Sequence, residues 1–180
     1  DCPTGYYRGS NDTPTTECQV CLAGSHQDSS GQDSCKDCTP GKFIPENMSV
    51  LANCIGCPVG YHQSASNQPS CLECNNGEKS AEVGASSCLT CPRGFWSANN
   101  GAVGLCIACA KGKFGGDSTD RNNETTHCEN CEPGAYVDVV GSTSCNFCPT
   151  GYIREESADA SFYKECLSGL FADAENQTVC

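Results

Sequence analysis

The sequence is poor in the large aliphatic and aromatic residues from which globular cores are built. Leu, Ile, Val and Phe together number 26 of 180 residues, with one Met and one Trp. A share below roughly 20% combined with a high net charge is typical of disordered chains, and the formal charge here is −12. Hydrophobic burial alone is therefore not expected to offset the conformational entropy lost on folding.

Long apolar runs and basic residues are scarce as well. No stretch approaches the ~18 consecutive apolar residues of a membrane-spanning helix, so we expect no membrane insertion. Only 10 Lys and Arg stand against 22 Asp and Glu. This acidity argues against nucleic acid or anionic lipid as a partner.

Cysteine is the residue present in enough quantity to supply the missing stability, with 19 copies. Taken alone, the pairs Cys18/Cys21 and Cys35/Cys38 fit a zinc pattern. Eight such C-x2-C pairs follow one another at near-constant spacing, however, and four thiolates at one site suit an acidic chain poorly. A redox C-x2-C lacks the βαβ context that it needs. We expect disulfides, which at this density require an oxidising, extracellular compartment.

A short motif recurs along the whole chain: a cysteine with a glycine three residues later, as in CTPGKF and CPRGFW. The opening cysteines are Cys2, Cys21, Cys38, Cys57, Cys74, Cys91, Cys109, Cys131, Cys148 and Cys166. A large flat side chain usually stands five residues after the opening cysteine, and Lys79 and Ile153 are the exceptions. The flat residues are Tyr7, His26, Phe43, His62, Trp96, Phe114, Tyr136 and Phe171.

A closing cysteine most often follows 14 residues after the opening one, as Cys35 follows Cys21. In all five repeats of this length a Gly or Asn stands four residues before the closing cysteine, and both residues tolerate a positive φ. Each repeat therefore reads as a small irregular β-hairpin closed by its own disulfide, with the aromatic residue covering that disulfide or the next repeat.

The fold class that we predict is small, disulfide-rich and almost free of helix. One disulfide loop is worth about 3 kcal/mol, which is too little to order 17 residues at roughly 1 kcal/mol or more each. Repeats must therefore stack, and we expect an elongated tandem-repeat rod with contacts mainly between neighbours. The ten repeats span 2–18, 21–35, 38–54, 57–71, 74–88, 91–106, 109–128, 131–145, 148–163 and 166–180.

Two disulfide schemes are open. An interleaved scheme pairs Cys18 with Cys35 and Cys21 with Cys38, and it leaves Cys2 without a partner although Cys2 has the features of an ordinary opening cysteine. The local scheme joins each opening cysteine to its own closing cysteine: Cys2–Cys18, Cys21–Cys35, Cys38–Cys54, Cys57–Cys71, Cys74–Cys88, Cys91–Cys106, Cys109–Cys128, Cys131–Cys145 and Cys166–Cys180.

The ninth repeat departs from this pattern. Cys148 opens it, but Tyr163 stands where the closing cysteine is expected. Our hypothesis is that Cys166 pairs with Cys180, and that Cys148 is free or joins another chain. The alternatives are an enlarged Cys148–Cys166 loop that leaves Cys180 for a different partner, and a misidentified residue at 163.

Residues for catalysis or cofactor binding are not apparent. The three histidines are scattered, and His26 and His62 hold the aromatic position, where packing is the expected role. No catalytic constellation can be assembled on such small loops. GGDSTD, at residues 115–120, is the nearest approach to a calcium loop, and we interpret it as a solvated loop. We therefore expect no enzymatic activity, no bound metal and no cofactor.

Four N-x-[ST] sequons predict N-linked glycans as covalent modifications. They lie in loops where a glycan is tolerated. Pro14 directly after the first sequon is expected to lower its use. The acceptor residues are Asn11, Asn47, Asn123 and Asn176.

The repeat resembles the ephrin-receptor-like cysteine-rich repeat, with the pattern C-P-x-G-x-[YF]…S-x-C-x-x-C-P-x-G. It is also similar to the single-disulfide half-module of tumour-necrosis-factor-receptor cysteine-rich domains. The best match is CEPGAYVDVVGSTSCNFC, at residues 131–148. The resemblance implies disulfides from each opening cysteine to the following closing cysteine. It also implies an extracellular or cell-surface protein, since such repeats occur in receptor ectodomains, adhesion proteins and protist surface or fibre proteins.

Two functions remain. The first is structural: a rod that assembles into a fibre, cell coat or flagellar hair, with copies of itself or other extracellular proteins as partners. The second is a ligand-binding or stalk region of a cell-surface receptor or adhesin. Near-equivalent repeats without an intervening dissimilar domain favour the first, whereas the lack of the second, two-disulfide half of receptor modules disfavours receptor-type ligand binding.

Overall fold

The protein is built almost entirely from very short antiparallel hairpins. A computed structural model describes residues 1–48, 50–98, 105–116, 121, 123–155, 160–168 and 170–180. Its helical elements in these ranges are a 3-10 turn, Glu46–Met48, and one helical turn, α1, Glu124–His127. The strands are β1 Tyr6–Tyr7, β2 Gln19–Val20, β3 Ser25–His26, β4 Lys36–Asp37, β5 Lys42–Phe43, β6 Ile55–Gly56, β7 Tyr61–His62, β8 Leu72–Glu73, β9 Glu78–Lys79, β10 Leu89–Thr90, β11 Phe95–Trp96, β12 Ile107–Ala108, β13 Lys113–Gly115, β14 Cys128–Asn130, β15 Ala135–Tyr136, β16 Asn146–Phe147, β17 Tyr152–Ile153 and β18 Lys164–Glu165.

Each odd-numbered strand pairs with the strand that follows it in the chain. The first strand of a hairpin begins directly after the C-x-x-G turn, and the return strand usually consists of the two residues between a closing cysteine and the next opening cysteine. β14 also includes Cys128, and β18 follows Tyr163 in place of a closing cysteine. In the first hairpin, for example, Tyr6 lies opposite Val20 and Tyr7 opposite Gln19. The predicted small, disulfide-rich β-hairpin fold with almost no helix is confirmed, and the return strand is supplied by the C-x2-C linker.

The described residues fall into two compact units. The first holds Asp1–Asn75, Lys79–Leu89 and Leu105, and the second holds Asn76–Glu78, 90–98 and the described part of Cys106–Cys180. Within both units the same kind of disulfide recurs, with one bridge in each regular repeat. The nine bridges are Cys2–Cys18, Cys21–Cys35, Cys38–Cys54, Cys57–Cys71, Cys74–Cys88, Cys91–Cys106, Cys109–Cys128, Cys131–Cys145 and Cys166–Cys180.

The side chain at the aromatic position is only one part of the core of each repeat. Side chains at the aromatic position are half-buried in most repeats, as Tyr7 and Phe43 are. Nine of the ten opening cysteines are buried, with Cys166 as the exception, and so is the residue six places after each opening cysteine from the second repeat onward. That sixth position is occupied by Gln27, Ile44, Gln63, Ser80, Ser97, Gly115, Val137, Arg154 and Ala172.

Main-chain hydrogen bonds join each repeat to the next. The opening cysteine donates its N–H to the glycine carbonyl of the preceding repeat, as Cys38 does to Gly24 at 2.8 Å, and this bond recurs at all nine junctions. The N–H of the same glycine is donated to the sixth-position carbonyl of the following repeat, as Gly24 does to Ile44 at 2.9 Å. The glycine of the tenth opening, Gly169, lies outside the described residues.

A third main-chain bond comes from the second turn of the hairpin. Gly84 donates its N–H to the carbonyl of Cys57, the opening cysteine of the preceding repeat, at 2.8 Å. The residue at this turn has a positive φ, as predicted: 86° for Gly84 and 57° for Asn67. Because these bonds use main-chain atoms, the stacking tolerates variation of most side chains.

The turn glycine also lies against the repeat after next. At Gly41, φ is +84° and a Cβ atom would lie 2.0 Å from the carbonyl oxygen of Gly84, two repeats further along. Equivalent close approaches join Gly94 to Gly141 and Gly134 to Asn176. The expectation that contacts lie mainly between adjacent repeats was therefore too narrow. The glycine that recurs in every C-x-x-G motif has a steric reason beyond the turn itself.

Candidate functional site

The candidate site is the junction at which one repeat stacks on the next. The side chain at the aromatic position reaches the disulfide of the following repeat. His26 Nδ1 lies 3.1 Å from Cys54 Sγ, and His62 Nδ1 lies 3.1 Å from Cys88 Sγ. The interpretation of these two histidines as packing residues agrees with their half-buried positions over the sulfur atoms.

Both histidines form groups whose potential metal-ligand atoms lie within 4.8 Å of one another. The groups are His26 with Cys38 and Cys54, and His62 with Cys74 and Cys88. All four sulfur atoms are in disulfides, whereas the cysteine species that binds metal is the thiolate. In the oxidised protein each group therefore offers a single imidazole nitrogen.

An aromatic cluster occupies the place of the missing disulfide in the ninth repeat. Tyr163 packs edge-on against Tyr136, with ring centroids 4.4 Å apart, and against Tyr152 at 5.1 Å. Such pairs contribute about 0.5–1.5 kcal/mol beyond the area that they bury. The cluster bridges the eighth and ninth repeats where the regular pattern would close a loop.

Cys148 is a free cysteine, and its side chain is 0% exposed. Burial raises the pKa of the Cys148 thiol, while the positive charge of Arg154 acts in the opposite direction. A buried thiol with a raised pKa is a poor nucleophile. Of the two states hypothesised for Cys148, the structure has the free thiol, and its burial is a steric obstacle to a bridge with another chain. Cys166 pairs with Cys180 as hypothesised, so the alternative Cys148–Cys166 loop is not formed.

Arg154 is the buried cation of this repeat, with 3% exposure. Its Nε donates to the carbonyl of Ala135 at 2.5 Å, and its Nη2 donates to the carbonyl of Cys131 at 2.7 Å. Arg154 is not among the residues predicted from the sequence, because the sixth position holds residues of different chemical types, from Gln27 to Ala172, and so gives no signal for a buried cation.

Tyrosine hydroxyls reinforce three of the hairpins across the strands, and the hydroxyl of Tyr7 donates to Gln19 at 2.8 Å. The hydroxyl of Tyr61 donates to Glu73 and that of Tyr152 to Glu165, both at 3.0 Å. These carboxylates raise the pKa of each phenol, because the hydrogen bond holds the proton and the negative charge opposes its loss. The contribution is small, since the pairs are exposed.

The four sequon asparagines lie on the surface, as a glycan requires. Asn123 also caps α1: its Oδ1 accepts from the main-chain N–H of Thr125 at 2.9 Å, and from the Thr125 hydroxyl at 2.9 Å. Asn176 occupies a second turn with φ of 61°. Occupancy of Asn11, Asn47, Asn123 and Asn176 stays a prediction.

The segment considered for calcium is GGDSTD, at residues 115–120. Its last four positions, 117–120, lie outside the described residues. The third histidine, His127, closes α1 and is fully buried. Among the described helices, none combines the length and apolar character needed to cross a membrane.

Comparison with protein families matches residues 47–88 to the family described as Tyrosine-protein kinase ephrin type A/B receptor-like. This stretch runs from the second half of the third repeat to the closing cysteine of the fifth. Comparison with curated proteins finds no match. Residues 47–88 are therefore similar to the ephrin-receptor-like repeat, and the nine consecutive disulfides show a tandem array of cysteine-rich repeats, an arrangement typical of extracellular proteins.

Proposed function

We propose that the chain is an extracellular structural protein whose disulfide-closed repeats form a rod that assembles into a fibre, cell coat or flagellar hair. The observation that carries this proposal is the recurrence of one stacking junction along the chain. In it, the opening-cysteine N–H of each repeat is donated to the preceding glycine carbonyl at 2.8 to 3.1 Å. A junction made from main-chain atoms supports uniform stacking without a dedicated ligand site.

The close approach of each turn glycine to the repeat after next also supports a mechanical role. A repeat held by two successors, as Gly41 is held against Gly84, has fewer ways to bend than one held by a single neighbour. The proposal includes no catalytic activity and no cofactor. Its partners are copies of the same chain or other extracellular proteins, and N-linked glycans on the exposed sequons are the modification.

The second candidate is a stalk or ligand-binding region of a cell-surface receptor or adhesin. The match of residues 47–88 to a receptor-like family favours it. Exposed apolar side chains such as Leu89 and Phe147, at 65% and 61% exposure, could contact a protein ligand.

Negative-stain electron microscopy of native material separates the two candidates. Regular filaments or a surface coat that contain the chain are expected for the structural protein, whereas separate particles at the cell surface would overturn it in favour of the receptor. Small-angle scattering of the isolated chain should give a radius of gyration well above the roughly 16 Å of a compact 180-residue domain. A compact value would contradict the rod.

A further inference from the structure

Two junctions in the first compact unit bring a histidine against the disulfide of the following repeat. At the first, His26 Nδ1 lies 3.1 Å from Sγ of Cys54, which is bridged to Cys38. In each group all three candidate ligand atoms lie within 4.8 Å of one another. We call these residues the first His–Cys group, and the second, two repeats later, consists of His62, Cys74 and Cys88.

Each His–Cys group contains the ligand types that zinc prefers, one imidazole and two sulfurs. In a tetrahedral site the Zn–S distance is about 2.3 Å and the Zn–N distance about 2.0 Å, so the ligand atoms lie roughly 3.5–4 Å apart. The atoms of each group are already close to that spacing. Two thiolates and a neutral imidazole also give an uncharged zinc complex, which suits a chain of net charge −12 better than four thiolates do.

The S–S bond is what keeps the sulfur atoms from acting as ligands, because the thiolate is the cysteine species that binds metal. A dithiol reductant breaks this bond: it supplies two electrons and two protons, becomes a cyclic disulfide and leaves two thiols on the protein. Zinc then binds both thiolates, and their two protons are released. His26 and Cys54 are half-buried, so a small reductant and a zinc ion can reach the first group.

Main-chain contacts hold the first group in place independently of its disulfide. Cys38 donates its N–H to the carbonyl of Gly24 at 2.8 Å. Ile55, the neighbour of Cys54, lies opposite Phe43 in the hairpin of β5 and β6. The histidine lies in β3, which pairs with β4. The three side chains are therefore expected to stay close together when the S–S bond opens.

We propose that each His–Cys group becomes a zinc site when its disulfide is reduced, with the imidazole and the two thiolates as protein ligands and water in the fourth position. The zinc ion then closes the repeat in place of the disulfide. It also ties that repeat to the preceding one, which supplies the histidine. This inference concerns the reduced protein and does not depend on the structural function proposed above.

The repeat between the two groups offers a matched control. Phe43 occupies the position of the histidines there, and the bridge that follows it is Cys57–Cys71, so reduction yields two thiols without an imidazole at that position. The full chain is treated without denaturant with tris(2-carboxyethyl)phosphine, because a dithiol would itself bind zinc. The phosphine is oxidised to its oxide with oxygen from water, and it is raised until peptides report opening of both Cys38–Cys54 and Cys57–Cys71.

Zinc is then added in graded amounts, free thiols are alkylated with iodoacetamide, and peptide mass spectrometry measures the fraction of each cysteine that zinc protects. We expect Cys54 and Cys88 to be half-protected at a zinc concentration about tenfold or more below that for Cys71. His26→Phe should raise the concentration for Cys54 by about tenfold or more, because one of three protein ligands is lost, and should leave Cys88 unchanged. Phe43→His should lower the concentration for Cys71 by a similar factor.

Three results would overturn the inference. Equal protection of Cys54 and Cys71 in the unaltered chain, or an unchanged titration of Cys54 in His26→Phe, would mean that zinc is held by any pair of released thiols. Absence of protection at Cys54 even in millimolar zinc would mean that the reduced group binds no metal. Peptide mapping of each oxidised variant should recover all nine disulfides, so that a change in protection reflects the substituted ligand and not misfolding.

Discussion

The guanidinium Nη1 of Arg121 donates a hydrogen bond to the main-chain carbonyl of Cys91 at 2.7 Å. In regular repeats the opening-cysteine carbonyl receives a main-chain N–H from the second turn, as Cys57 does from Gly84. In the ninth repeat the same bond comes from Arg154, which donates to Cys131. In the seventh and ninth repeats, which deviate in loop length or closure, an arginine side chain donates to the opening-cysteine carbonyl of the preceding repeat.

Arg121→Ala should therefore lower the free energy of unfolding by about 1–3 kcal/mol, because a carbonyl at the junction loses its donor. Urea unfolding with the disulfides intact measures the change. Lys111→Ala is the control, since Lys111 is exposed in the same compact unit and should change the free energy by no more than about 0.5 kcal/mol. Equal effects of the two substitutions would contradict the role assigned to Arg121.

Replacing two turn glycines by alanine separates backbone strain from the contact between alternate repeats. Gly94 and Gly151 have nearly the same φ, +79° and +84°. A Cβ at Gly94 would lie 2.1 Å from the carbonyl oxygen of Gly141, whereas a Cβ at Gly151 meets nothing within 4 Å. Gly151→Ala should cost about 1–2 kcal/mol from the left-handed conformation alone.

Gly94→Ala should cost about 1–3 kcal/mol more than Gly151→Ala, because the added methyl group displaces the turn two repeats away. Urea unfolding of both variants with intact disulfides provides the comparison. If the two substitutions destabilise the protein equally, the contact between alternate repeats contributes nothing to stability.

The sequence was sufficient for the features that depend on local spacing. A closing cysteine 14 residues after Cys21, with Gly31 four places before it, is enough to predict a hairpin, its turn and the extracellular setting. The contact between Gly41 and Gly84 could not be predicted, because it depends on the path of the stacked chain through space. The buried sixth position escaped notice because its residues share no chemical type, from Gln27 to Arg154.

The free thiol of Cys148 should be unreactive in the folded protein. Iodoacetamide at pH 8 is expected to label no cysteine in the native chain and one per chain after unfolding in urea, because the thiol is buried and its pKa is raised. Peptide mass spectrometry identifies the labelled position. Labelling of native protein at a rate close to that of the unfolded chain would contradict the buried position.

The burial of the Cys148 thiol also makes the free energy of unfolding depend on pH. A thiol whose pKa is raised on folding stabilises the native state below the pKa of the unfolded chain, and this stabilisation is lost as the pH rises toward the folded value. The urea midpoint should therefore be constant below the ordinary thiol pKa of roughly 8.5 and should fall as the pH rises above it. Cys148→Ala should flatten this slope, although the cavity lowers stability at every pH. An unchanged slope would assign the dependence to other groups.

Tyr163→Cys should restore the regular form of the ninth repeat. The introduced thiol lies 15 residues after Cys148, within the 14 to 19 residues that separate paired cysteines elsewhere in the chain. A loop of this length is worth about 3 kcal/mol, and the lost packing of Tyr163 on Tyr136 and Tyr152 offsets about 1–2 kcal/mol of that gain. We expect a net rise in the free energy of unfolding and the disappearance of the free thiol.

Tyr163→Ser is the matched control, because it removes the aromatic ring without supplying a thiol and should only destabilise the protein. Non-reducing peptide mapping shows where the introduced thiol goes. A peptide that joins it to Cys148, with Cys166–Cys180 retained, is the expected product. Recovery of the introduced thiol with Cys166 or Cys180 would mean that the tenth repeat takes its closing cysteine from a different register, and the interpretation of Tyr163 as the replacement for a disulfide would be wrong.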